Sequence, residues 1–238
     1  MNTGNKKNID QFCQFFSGQV ASINAGDFSG SPNVYKRLLL CCIFDALAKT
    51  AFPAEPKNRE RFTRLIRDYG AWPDCDKVSL LHLRKLLSLP DALKDPSFAD
   101  VRRFVDSLPS QPSQNEVFFT ADPDFSHIDN LWPKQNGKPV KLRVKRRDLW
   151  AKSVRHDCLF YEFRNNLIHE FNAEETRGFP THAEPYYLRG RTYYMTEFIR
   201  TLVVNVIRNL EHHLTTHNIN PYDSFSYGDY VIPEMNSP

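Results

Sequence analysis

The spacing of apolar residues constrains the fold of this chain more than any other feature of its sequence. Within residues 9–23 the apolar side chains recur every three or four positions, which is the period of one face of an α-helix. Similar patterns cover residues 34–51, 57–69 and 193–217, and another helix starts after a serine cap at Ser79. We therefore expect a mainly α-helical protein.

Length and composition favour one globular domain over residues 1–238, because 41% of the residues are hydrophobic and can form a core. Residues 90–144 are rich in proline, serine and asparagine and predict a loop-rich insertion with one short helix near residues 97–107. Alternating apolar residues at 139–144 and 186–188 predict a small two-stranded β element. Residues 218–238 are expected to form an extended C-terminal tail.

Cysteine and glycine usage exclude several classes of function. The five cysteines are odd in number and contain no Cys-x-x-Cys pair, which favours a reducing cytoplasm. The nine glycines form no phosphate-binding loop, and no serine-nucleophile motif is present. We expect no metal or other cofactor, and we interpret His212, His213 and His217 as the polar end of a helix. The longest apolar run, residues 38–44, is too short to span a bilayer, so no membrane partner is expected.

The segment whose side chains are best suited to catalysis lies in a helix predicted over residues 148–172. Helix geometry places one apolar stripe along it, formed by Phe160, Phe163, Leu167 and Phe171. The opposite side carries Glu162, Asn165 and His169. His169 therefore points away from the core, and the amide of Asn165, one turn earlier, can hold the imidazole in one tautomer.

An arginine and a histidine suffice for RNA cleavage without metal. A histidine with its ordinary pKa of about 6.5 can take a proton from a ribose 2′-hydroxyl or give one to the leaving 5′-oxygen. Arg164 can hold the phosphate through two hydrogen bonds as charge builds on it. Arg164 and His169 lie ~140° apart on an ideal helix, so a single helix does not direct both side chains at the same phosphate. Two copies around a two-fold axis would bring both pairs to one cleft.

The run Arg164-Asn165-Asn166-Leu167-Ile168-His169 resembles the Arg-polar-x3-His signature of the HEPN superfamily. This resemblance implies a HEPN-like helical bundle that acts as a homodimeric, metal-independent endoribonuclease in antiphage defence or a toxin–antitoxin module. It also implies that Arg164 and His169 are catalytic and that Asn165 assists them. We expect 2′-hydroxyl attack that leaves a 2′,3′-cyclic phosphate, and a neutralising antitoxin or a defence-system protein as partner.

The same arginine–histidine spacing occurs at two other places, so the pattern alone is weakly specific. The pair Arg177/His182 is interrupted by a glycine and a proline, which do not fit a helix interior. The pair Arg208/His213 lies in a predicted helix and also has asparagine after the arginine. The phenylalanine stripe favours Arg164/His169, and Arg208/His213 remains the competing pair.

The residues before the motif predict a surface for RNA phosphates. Seven cations lie within residues 141–155, with one acid among them. Substrate binding is assigned to Lys141, Arg143, Lys145, Arg146, Arg147 and Arg155. The alternative is a catalytically inactive helical module that binds RNA, a nucleotide or a protein through this surface.

Overall fold

A computed structural model describes residues 3–109, 117–118, 122–144, 146–170, 185–188 and 191–224. The chain falls into two compact units, where the sequence predicts one domain. The first unit combines Met1–Ala71 with Ile199–Pro238, and the second unit is Trp72–Phe198. The chain leaves the first unit after Ala71 and returns to it at Ile199. Its composition does not change at these two positions, so the sequence does not mark the boundaries.

Helices carry most of the fold, which confirms the predicted mainly α class. In chain order the described helices are α1 (Thr3–Ala25), α2 (Pro32–Ala51), α3 (Asn58–Tyr69), α4 (Leu80–Leu87), α5 (Pro90–Lys94), α6 (Ala99–Ser107), α7 (Phe125–Leu131), α8 (His156–Glu170) and α9 (Thr196–His217). Short 3-10 turns occur at Pro96–Phe98, Ala151–Val154 and Pro221–Asp223. None of the helices in these ranges has the length and hydropathy needed to cross a membrane.

The strands are short and antiparallel. They are β1 (Val117–Phe118), β2 (Lys134–Gln135), β3 (Lys138–Pro139), β4 (Leu142–Val144), β5 (Arg147–Leu149), β6 (Tyr186–Leu188) and β7 (Arg191–Tyr193). They form a three-stranded sheet in the order β1-β6-β7 and two hairpins, β2–β3 and β4–β5. The strands expected around residues 139–144 and at 186–188 are therefore present, but each pairs with a different neighbour.

The first unit is built from α1, α2, α3 and the part of α9 that follows Phe198. Its core includes edge-to-face packing of Phe12 on Phe16, with ring centroids 4.9 Å apart. Helix α9 packs against the end of α3, where the Asn209 side-chain amide donates to the Tyr69 backbone oxygen at 2.8 Å. A Cβ atom at Gly70 would lie 2.8 Å from the Leu202 Cδ1 atom, so glycine permits this close approach.

The beginning of the predicted C-terminal tail is attached to the first unit. The Asn5 amide donates to the Asn218 backbone oxygen at 2.9 Å, and the Ser224 hydroxyl donates to the Thr50 backbone oxygen at 3.1 Å. Pro221 between them is buried. Residues 225–238, the larger part of the predicted tail, lie outside the described residues.

The second unit has its own apolar core, to which the predicted insertion contributes. Residues 90–144 were expected to be loop-rich with one short helix near residues 97–107, which is α6, yet they also supply α5 and α7, and Phe98, Ile128 and Trp132 are fully buried or nearly so. Helices α5 and α7 have seven residues or fewer, too short for a clear helical period. The insertion is therefore part of the core of this unit.

Helix α8 begins at His156, so the helix predicted from residue 148 is wrong at its start. Residues Arg147–Leu149 pair as β5, and a 3-10 turn precedes α8. One face of α8 packs into an aromatic cluster: Phe160 lies 4.9 Å from Tyr194 and 6.4 Å from Trp72 between ring centroids. This packing holds α8 in the second unit.

Candidate functional site

Buried charged residues fix the start of α8. Arg155 donates two hydrogen bonds to the Asp157 carboxylate, at 2.7 and 2.6 Å, and the two side chains are 6% and 0% exposed. Arg155 also lies 3.2 Å from Asp76 and places its guanidinium 5.1 Å from the Phe125 ring centroid. The assignment of Arg155 to an exposed phosphate-binding surface is therefore not supported, because its planar cation is used inside the second unit.

A second buried pair joins α8 to the segment before α7. The His156 Nε2 atom lies 2.8 Å from the Asp122 Oδ2 atom, and neither side chain is exposed to solvent. The other Asp122 oxygen accepts from the Leu80 backbone N–H at 3.0 Å, at the start of α4. Removing one partner would leave the other buried without its hydrogen bond, which costs roughly 1–3 kcal/mol, so this contact stabilises the start of α8.

His82 lies beside this pair and is the most strongly perturbed histidine among the described residues. Burial lowers the pKa of His82 to about 4, with nearby Lys85 and His156 acting in the same direction. The Ser79 hydroxyl lies 2.7 Å from the His82 Nδ1 atom. This hydrogen bond joins the side chain of the helix cap to the buried imidazole. The sequence predicts Ser79 only as a helix cap, because the burial of His82 depends on tertiary packing.

Of the residues predicted to be catalytic, Asn165 and His169 lie on the outward side of α8, and Arg164 flanks its apolar stripe. The Arg164 Nη1 atom donates to the Asn165 Oδ1 atom at 2.8 Å, and both side chains are half-buried. The Arg164 guanidinium also lies 5.8 Å from the Tyr161 ring centroid. His169 is exposed in the last turn of α8. All three residues therefore reach solvent along one helix.

The role of Asn165 differs from the predicted one. The sequence places its amide one turn before His169, as a support for the imidazole. The amide oxygen instead accepts from the Arg164 guanidinium at 2.8 Å, a hydrogen bond strengthened by the charge of its donor. Asn165 therefore orients the arginine of the motif.

The opposite side of α8 is largely buried, as its phenylalanine stripe predicts. Phe160 and Leu167 are 0% exposed. Phe163 is half-buried, with its ring centroid 5.1 Å from that of Tyr194. Phe171, the last member of the predicted stripe, lies outside the described residues. The two faces of α8 thus separate a packing side from a polar side.

The predicted basic strip lies mainly on the β4–β5 hairpin. Lys141, Arg143, Arg146 and Arg147 are exposed, whereas Lys145 lies outside the described residues. Arg143 pairs with Asp148 across the hairpin at 2.8 Å. Arg147 pairs with Glu162 of α8 at 2.7 Å. The strip is therefore attached to the helix that carries Arg164, Asn165 and His169.

The competing pair, Arg208/His213, has a different environment. Asn209 donates to the Tyr69 backbone oxygen at 2.8 Å, so its amide fixes the packing of α9 on α3. The His213 ring lies 5.6 Å from the Tyr69 ring and 4.3 Å from the His217 ring between centroids. Burial and the neighbouring His217 lower the pKa of His213. Asn209 and His213 thus take part in packing within the first unit, whereas Arg208 is exposed.

The histidines at the end of α9 form no evident metal site. Across the ranges given above, no three His, Cys, Asp or Glu side chains come together in a way that could hold a metal ion.

Comparison of the chain with known protein families, with curated proteins and with solved structures finds no match. Any functional assignment therefore depends on the residues and geometry of this chain.

Proposed function

We propose that this protein is a metal-independent endoribonuclease of the HEPN type. The single observation that carries the proposal is the arrangement of α8, in which Asn165 and His169 lie on the polar side and Arg164, beside the apolar stripe, donates to Asn165, while Phe160 and Leu167 anchor the other side. A cytoplasmic role in antiphage defence or in a toxin–antitoxin module follows from the HEPN resemblance.

The proposed reaction needs only a base, an acid and a cation. The ribose 2′-oxygen attacks the adjacent phosphorus as one His169 imidazole takes the hydroxyl proton. The bond from phosphorus to the 5′-oxygen breaks, and an imidazolium supplies the proton that the 5′-oxygen requires. The products are a 2′,3′-cyclic phosphate and a 5′-hydroxyl. Arg164 stabilises the extra negative charge on the phosphorane, and Asn165 holds the guanidinium in place.

A homodimer would complete this site. Arg164 and His169 diverge by ~140° around the axis of α8, so one copy does not converge them on one phosphate. Two copies related by a two-fold axis would supply two histidines, one as base and one as acid. A specific activity that rises with protein concentration and reaches a plateau when the dimer is saturated is the expected result.

The exposed cations of the β4–β5 hairpin are the proposed RNA-binding surface. Their attachment to α8 through Arg147 and Glu162 supports this assignment. Phosphate binding by several cations predicts that RNA affinity falls steeply as salt is added. A neutralising antitoxin or another defence-system protein that covers this surface would inhibit cleavage.

The test is incubation of the purified protein with single-stranded RNA in EDTA, followed by analysis of the product ends. Cleavage that gives 2′,3′-cyclic phosphates and that is lost in His169→Ala would support the proposal. Tight binding without cleavage would contradict it and favour the catalytically inactive binding module. The exposed hairpin cations are the observation behind that alternative, because they can bind RNA whether or not α8 is catalytic.

A further inference from the structure

The alternation of side chains along the β4–β5 hairpin explains how it reaches α8. Leu142 pairs with Leu149, and Val144 pairs with Arg147, so these four side chains share one face of the hairpin. Leu142 is buried in the core of the second unit, and Leu149 and Val144 pack against that core. Arg147 and its partner Val144 form the pair of this face nearest the turn, and Arg147 meets Glu162 at 2.7 Å.

Glu162 lies on the same line of α8 as His169. Seven residues separate them, so they are only ~20° apart around the helix axis and ~10 Å apart along it. The ion pair between Arg147 and Glu162 therefore attaches the end of the hairpin to the same side of α8 as the proposed catalytic histidine, His169. It also neutralises a carboxylate that would otherwise repel RNA close to that histidine.

Arg146 differs from its neighbours in the hairpin. Arg143 and Arg147 each lie within 2.8 Å of an acidic oxygen. Arg146 lies at the turn and is exposed, and no acidic partner faces it within the part of the chain that the structure describes. Its guanidinium is therefore available to an external anion without first breaking an ion pair.

From this geometry we infer that the turn of the β4–β5 hairpin is a phosphate clamp for single-stranded RNA. Arg146 binds a phosphate that flanks the scissile one, and the Arg147–Glu162 pair is a positioning device that sets the distance from this clamp to His169. This inference rests on the proposed ribonuclease function. It gives two neighbouring cations different roles: Arg146 binds RNA, and Arg147 is a tether that attaches the hairpin to α8.

The test measures the binding of a short fluorescein-labelled single-stranded RNA to the His169→Ala protein over a range of salt concentrations. Adding Arg146→Ala should weaken binding about fivefold, which is within the range of one exposed charge pair. It should also reduce the slope of log affinity against log salt by about 0.7, the value for one lost phosphate contact on a single strand. The matched control is Arg103→Ala, an exposed arginine paired with Asp100 on α6, which should change neither quantity.

The tether is tested by cleavage in the protein that retains His169. Arg147→Ala and Glu162→Gln should each lower kcat, and the double variant should be no slower than either single variant, because both changes break the same pair. The salt slope of Arg147→Ala should stay at the wild-type value. Circular dichroism of each variant checks that the second unit is folded.

The outcomes separate this inference from the proposed function. If the unmodified protein cleaves RNA but Arg146→Ala behaves like Arg103→Ala, the clamp is refuted and the ribonuclease remains. If RNA is bound with the expected change of slope but never cleaved, the ribonuclease is refuted and the phosphate contact of Arg146 remains. Absence of any RNA binding overturns both.

Discussion

Helices α8 and α9 carry the same pattern, an arginine followed by asparagine and, four residues after the asparagine, by histidine, but they use it differently. In α8 the Asn165 oxygen accepts from Arg164 at 2.8 Å, so the two polar residues of the pattern bind each other. In α9 the Asn209 amide donates to the Tyr69 backbone oxygen at 2.8 Å, so it stabilises helix packing. The same spacing therefore supports a candidate site in one helix and a structural contact in the other.

The histidines differ in the same way. His169 is exposed at the end of α8, whereas His213 packs edge-on against the Tyr69 ring and close to His217. A general acid or base must reach its substrate, and a histidine occupied by ring packing reaches it less easily. The environment of the pattern, more than its spacing, separates the two helices.

A large difference in cleavage rate is expected between the variants of the two arginines. Arg164→Ala should lower the rate of RNA cleavage by roughly 10²–10³, the typical loss when one group that stabilises transition-state charge is removed. Arg208→Ala, the matched change in α9, should leave the rate unaltered. Single-turnover cleavage assays on folded protein measure both rates, and equal losses in the two variants would remove the distinction between the helices.

Acid stability gives the next largest difference, because His82 lies at the anchored start of α8. The pKa of His82 is about 4 in the folded protein and near 6.5 when unfolded, since burial disfavours the charged ring. Its contribution to stability is therefore present above pH 6.5 and is lost as the pH falls through about 4. The loss is of the order of 3 kcal/mol, and His82→Gln should flatten this dependence.

Tryptophan fluorescence is a specific probe for this experiment, because Trp72, Trp132 and Trp150 all belong to the second unit. Denaturant unfolding at a series of pH values gives the free energy of unfolding of that unit. The control is His213→Gln, since burial also lowers the pKa of His213 but that residue belongs to the first unit. An unchanged acid dependence in His82→Gln would show that the buried polar cluster does not determine the stability around α8.

Substitution of the two asparagines should give the smallest effects. One variant should lose stability and the other should lose cleavage rate. Asn209→Ala should lower the free energy of unfolding by about 1 kcal/mol, the usual value of one hydrogen bond, without slowing cleavage. Asn165→Ala should slow cleavage about tenfold, because Arg164 loses the acceptor that orients it, with little change in stability. Thermal melting and cleavage rates of both variants test these two expectations. If both variants lose only stability, Asn165 has no more connection with cleavage than Asn209 has, and the proposed difference between α8 and α9 is contradicted.

Local patterns were sufficient to predict most helices. The three- and four-residue period predicted α1, α2, α3 and α9, and the Ser79 cap predicted the start of α4, where the hydroxyl accepts from the His82 backbone N–H at 3.3 Å. The start of α8 was predicted too early. The β4–β5 hairpin was not predicted, because the sequence between Val144 and Arg147, Lys145-Arg146, carries none of the glycine or asparagine signals of tight hairpin turns.

The burial of individual polar residues depends on partners that are distant in the chain, so it could not be derived from local sequence. Arg155 resembles its basic neighbours, but Asp157 and the much earlier Asp76 hold it inside the second unit. The pair between His156 and Asp122 joins segments separated by α7 and both hairpins. The polar face of α8 was predictable, because helix geometry alone places Asn165 and His169 opposite Phe160 and Leu167.

The most direct test of the central claim compares His169→Ala with His213→Ala in RNA cleavage without metal. Both proteins and the unmodified chain are incubated with the same single-stranded RNA in EDTA, and the 2′,3′-cyclic phosphate ends are quantified. We predict that His169→Ala loses roughly 10²–10⁴ in rate, the contribution of a general acid or base, and that His213→Ala cleaves like the unmodified protein. Full activity in His169→Ala, or loss of activity only in His213→Ala, would contradict the assignment of the site to α8.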